Sequence, residues 1–100
     1  MAKMMKGVKA GDVRIEVSAA PDSNWSEGTA SLPNGRQFRF SVKSYERPSE
    51  FGIDGGRISK LAVMTEARRF IVAEYDRGWV RKPRTREQRA VCDALVAFWR

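Results

Sequence analysis

The residues with the densest capacity for chemistry lie between Phe51 and Lys60 (FGIDGGRISK), where three glycines surround Asp54 and lead into Arg57 and Lys60. Glycine reaches backbone angles closed to other residues, so this spacing marks a sharply bent connection or a place where backbone approaches another molecule. A phosphate cradle of the nucleotide-binding kind needs a lysine followed by Ser or Thr, opening a helix whose free amides face the phosphate. Here the residues after the glycines alternate like a strand. A nucleotide site is therefore not expected, and two readings remain: a loop bent for backbone reasons alone, or a contact loop in which Arg57 and Lys60 reach a partner.

The second chemical signal is charge. The net charge is +7, carried mostly by the second half of the chain, where Arg77, Arg81, Lys82, Arg84, Arg86 and Arg89 face only Glu87 over thirteen positions. Such a tract attracts nucleic acid or an acidic protein surface, and its plain alternative is a solvated, Arg-rich exterior. Trp79 stands beside these arginines, outside any periodic pattern. Arginine next to tryptophan is the composition of protein hot spots and of single-strand stacking sites; a Trp that caps the open end of a core has the same surroundings.

Catalysis finds little support. The chain has no histidine, hence neither the commonest general base near neutral pH nor the commonest metal ligand. Cys92 falls within an apolar helical pattern and reads as a packing residue, while Glu74 and Asp76 are accounted for by ion pairs with neighbouring arginines. Nothing in the spacing calls for a metal or a cofactor. The expectation is a non-enzymatic binding protein.

The elements that must position these residues follow from periodicity. With 100 residues, 42% of them apolar, the chain has material for one core and one domain. Residues 1–10 read as a loosely ordered leader and 11–100 as the folded unit. Val13, Ile15 and Val17 alternate with charged residues as in a half-buried strand, which Pro21 to Asn24 ends. Asn34-Gly35 between two extended runs predicts a hairpin over residues 26–45. Phe38, Phe40 and Val42 fall on its dry face, Arg39, Ser41 and Lys43 on its wet one. With Tyr45, the wet face has the composition of a nucleic-acid platform, but lacks the aromatic pair of an RNA recognition motif. Ile58 to Met64 and Phe70 to Tyr75 predict a second antiparallel pair. Thr85 and Gln88 form a capping box, after which Val91, Ala94, Leu95 and Phe98, widened by Cys92 and Trp99, mark an amphipathic helix. The expected fold is α+β: an antiparallel sheet of about five strands with one C-terminal helix on one face. No run approaches a membrane span, and a single cysteine suits a reducing, cytoplasmic setting.

The run from Glu50 to Leu61 (EFGIDGGRISKL), followed by Tyr75 to Trp79 (YDRGW) and the Pro-Thr helix opening, resembles a group of very short phage and prophage proteins without assigned enzymatic activity. Proteins of this kind include the anti-CRISPR proteins. The resemblance implies an inhibitor acting in the host cytoplasm, one that binds a subunit of a type I CRISPR surveillance complex and blocks its target DNA. Its basic charge departs from the acidic, DNA-imitating inhibitors, so docking on an acidic patch or on guide RNA is implied instead. On this reading Arg57, Lys60, Arg77, Trp79, Arg81, Lys82, Arg84 and Arg86 make the contacts. The alternative is a small basic protein that binds nucleic acid directly.

Overall fold

The structure, a computed structural model, describes residues 9–20 and 24–100. Its six strands form one antiparallel sheet in sequence order: β1 (Arg14–Ala19), β2 (Trp25–Ser31), β3 (Gln37–Ser44), β4 (Ile58–Thr65), β5 (Ile71–Asp76) and β6 (Trp79–Arg81). One helix, α1 (Arg86–Phe98), covers one face of the sheet. A meander of this kind needs only short connections and leaves the other face to solvent. Most of the expected leader lies outside the described residues. Ala10–Asp12 form a 3-10 turn that leads into β1, so ordered structure begins within it. Pro21 to Ser23, three of the four residues expected to end the first strand, also lie outside.

The alternation in β3 sets the core. Phe38, Phe40 and Val42 are buried, and the register places Val63 beside Phe40 and Leu61 beside Val42; Ala73 and Tyr75 continue these rows on β5. From the helix, Ala90, Val91, Cys92, Ala94 and Leu95 close over this layer. The capping box forms as its sequence dictates, with Gln88 donating its amide to Thr85 Oγ1 at 3.0 Å and Gln88 Oε1 accepting from the Thr85 amide at 3.3 Å.

Three expectations change. The sheet has a sixth strand: Arg77 adopts a left-handed conformation (φ 56°), the chain reverses, and Trp79 pairs with Tyr75. Trp79 therefore belongs to a strand. Phe98, assigned to the apolar stripe, is 53% exposed. The helix ends there, and Trp99 turns its ring edge-on to Phe40 (5.9 Å between centroids), leaving Phe98 outside it, edge to face at 4.7 Å.

Candidate functional site

The segment joining β3 to β4, residues 45–57, is folded back on itself by backbone hydrogen bonds from Tyr45 to the Arg57 carbonyl (3.0 Å) and from Ser49 to the Gly56 carbonyl (3.0 Å). Asp54 (φ 54°) and Gly55 (φ 69°) make a left-handed step at its tip. Three ties fix the loop to the body. Ile53 is buried in the core, the Tyr75 hydroxyl donates to the Phe51 carbonyl at 2.8 Å, and Arg57 Nε donates to the Trp99 carbonyl at 2.8 Å.

Between this loop and the open face of the sheet lies a cavity of about 340 Å³. Its cationic walls are Lys43 from β3, Lys60 from β4, Arg77 from the β5–β6 turn and Arg57 from the loop; Tyr45 and Phe51 supply rings, and Ser49 and Ser59 hydroxyls. The register explains the gathering. Trp25, Lys43, Lys60 and Asp76 stand opposite one another across β2, β3, β4 and β5, forming a single row on the open face. The Lys43 ammonium is held between two rings, 5.8 Å from the centroid of Trp25 and 5.6 Å from that of Tyr45. Lys60 Nζ meets Asp76 Oδ1 only at 3.9 Å, an exposed pair of little strength. Four cations thus line a space whose walls contain no carboxylate. A concave site of this volume with converging charge fits an anionic group carried beside a flat ring.

The expected contact residues divide. Arg57, Lys60 and Arg77 come together in the cavity. Arg57 does so as a half-buried strut between the loop and the end of α1, not as a free loop side chain. Trp79 lies against Tyr75, edge to face at 5.2 Å, and so stands behind the ring that pins Phe51. Arg81 is opposite Glu74 on the sheet edge. Lys82, Arg84 and Arg86 are exposed at the other end of the sheet. There the helix start is marked by Glu87, which accepts from Arg36 Nη1 at 2.7 Å and from Asn34 Nδ2 at 2.8 Å in the β2–β3 turn. The length of β3 separates the two ends, roughly 23 Å at 3.3 Å per residue. The basic tract is therefore not one patch. The sequence places Lys43 on the wet face with Tyr45 but misses Trp25 beside it, because their adjacency depends on strand register, which alternation within one strand does not carry.

Cys92 holds no catalytic promise. Burial, with the neighbouring Asp93 carboxylate adding to it, pushes its thiol up to about 12, so it stays protonated and inert near neutral pH. No helix among the described residues is long and apolar enough to cross a membrane.

A family model for a domain of unknown function, DUF7678, matches residues 24–100. The chain belongs to the DUF7678 family. The matched stretch takes in β2 to β6 and α1, and with them every residue of the cavity. No curated protein and no solved structure matches the chain.

Proposed function

We propose that this DUF7678 protein is a non-enzymatic binding domain that holds single-stranded nucleic acid on the open face of its sheet. One observation carries this reading: Lys43, lodged between Trp25 and Tyr45, lies in a cavity otherwise lined by Lys60, Arg77 and Arg57. A base stacks on either ring whatever its identity, and the adjoining cations receive the phosphates that accompany it. Duplex DNA suits this surface less well, because its bases are already stacked and its grooves call for a protruding helix or ribbon.

The test is fluorescence anisotropy of a labelled short oligouridylate or oligothymidylate against the full chain over a salt series. Binding should weaken linearly in log salt, with a slope of about 0.7 for each phosphate neutralised. Lys43→Ala should reduce affinity, and Trp25→Ala should remove the contribution of base stacking, about 1–3 kcal/mol per base. Binding indifferent to both substitutions refutes the site. The inhibitor reading draws on the loop itself, in which buried Ile53 anchors an exposed Phe51 in a fixed backbone, a pre-organised contact. It calls for stoichiometric block of a type I surveillance complex. That block, with no affinity for bare oligonucleotide, would replace the nucleic-acid reading.

A further inference from the structure

We propose that the outer edge of β1 is a self-association surface, on which a second copy of this chain pairs β1 against β1 and continues the sheet through a twofold axis at Ile15. The strand is terminal in the sheet, and among the described residues nothing pairs with its outer edge. An unpaired row of amides and carbonyls is a template for another strand. The opposite edge is defended: β6 has three residues, all exposed, and runs through Arg81 and Lys82 into Pro83. The stretch from Val13 to Val17 carries neither lysine nor proline, and its ladder with β2 is regular until the shift between Val17 and Ala19.

Side-chain chemistry selects the register. A twofold axis normal to the sheet places one residue of β1 opposite itself. Centred on Glu16, the pairing sets carboxylate against carboxylate; centred on Arg14, it sets guanidinium against guanidinium and Asp12 against Glu16. Centred on Ile15, it sets Arg14 against Glu16 of the second copy at two symmetric crossings, on the open face. On the helix face the same register sets Val13 against Val17 and Ile15 against itself. Opposite charges and branched apolar pairs directly across an antiparallel ladder are the favourable combinations.

The helix face beside β1 is shaped for such a neighbour. Val17 is 44% exposed and Phe98 53%, and Val13, Ile15, Ala94, Ala97 and Phe98 help to line a hollow of about 320 Å³ along the strand. Pairing at Ile15 brings the two hollows together over one seam, so that each Phe98 covers apolar surface otherwise left to water. The occupant is a second copy and not a foreign strand, because an isologous interface needs a surface complementary to itself, and the Arg14–Glu16 spacing provides that.

The experiment is sedimentation equilibrium of the full chain without nucleic acid, from low micromolar to submillimolar concentration, so its outcome is independent of the proposed binding site. The parent should show a concentration-dependent dimer. Arg14→Glu alone and Glu16→Arg alone each place like charges at both crossings and should weaken dimerisation about tenfold or more. The double variant Arg14→Glu/Glu16→Arg restores opposite charges and should recover the parent constant, while Val17→Lys should weaken it independently. A monomer throughout the range overturns the proposal. So does a dimer indifferent to the single reversals, or a double variant that melts like the parent yet stays monomeric.

Discussion

Placement decides what each reactive side chain is able to do. Cys92 lies on the buried face of α1, where its thiolate would forfeit hydration and meet the Asp93 carboxylate, and its folded pKa rises from an ordinary 9.0 to about 12. Below pH 9 the thiol is protonated in both folded and unfolded chains and its titration adds no pH dependence. Between about pH 9 and pH 12 the unfolded chain gives up this proton and the fold does not, so stability falls with rising pH. The loss is at most roughly 1.4 kcal/mol per pH unit. Because lysines and tyrosines also titrate there, the quantity to measure is a difference: denaturant melts of the parent should lose stability more steeply over this window than those of Cys92→Ala. Equal slopes would mean that the thiol ionises in the fold. Lys43, by contrast, presents its ammonium to the rings of Trp25 and Tyr45 on the open face of the sheet.

At the scale of elements, the connection between β3 and β4 is the part of the fold most dependent on glycine, at one position its sequence suggests and at another it does not. Gly55 or Gly56 is expected to be closed to alanine. Gly55 does take a left-handed conformation (φ 69°), but Gly56 is extended (φ −97°), and the more demanding position is buried Gly52, whose added Cβ would collide with the carbonyl oxygen of Gly56. Backbone cannot yield there without breaking the turn that pins Ile53. Gly52→Ala should therefore destabilise by more than about 2 kcal/mol, and Gly55→Ala by about 1 kcal/mol. Gly56→Ala should cost least, since its Cβ meets only the Ile53 carbonyl oxygen, at 3.1 Å. Thermal melts of the three variants give the order, and a Gly52→Ala protein as stable as the parent would show a loop able to open. The elements themselves were legible in the sequence wherever period alone decides: the faces of β3, the Asn34-Gly35 turn, the capped start of α1. What alternation does not carry is adjacency between strands. It left Trp25 unassigned to the site and Lys43 without its neighbours across the sheet, hid β6 behind a two-residue reversal at Arg77 and Gly78, and spread one basic tract over both ends of the sheet.

Across the whole molecule, the described structure holds two separate cationic regions, and their separation makes the proposed binding site testable. Lys60 and Arg77 line the cavity at the loop end, with Lys43 and Arg57 beside them. Arg84 and Arg86 lie near the start of α1, beyond the length of β3, and Arg86 shares its shallow hollow with Asp93. A diffuse field would treat the two pairs alike, because both contribute equally to net charge; a built site would treat them unequally, because only Lys60 and Arg77 line the cavity that also holds the Tyr45 and Phe51 rings. Lys60→Glu/Arg77→Glu should lower affinity for a short single strand at low salt by about tenfold or more, and should reduce the log–log salt slope by about 1.4, the share of two phosphate contacts. Arg84→Glu/Arg86→Glu should change affinity only a few-fold through long-range attraction, an effect that vanishes once the screening length falls below the distance between the ends. Exposed charges add little to folding, so both double variants should melt near the parent. Equal losses from the two pairs would reduce the protein to a nonspecific polycation, and a larger loss from Arg84 and Arg86 would move recognition to the helix start.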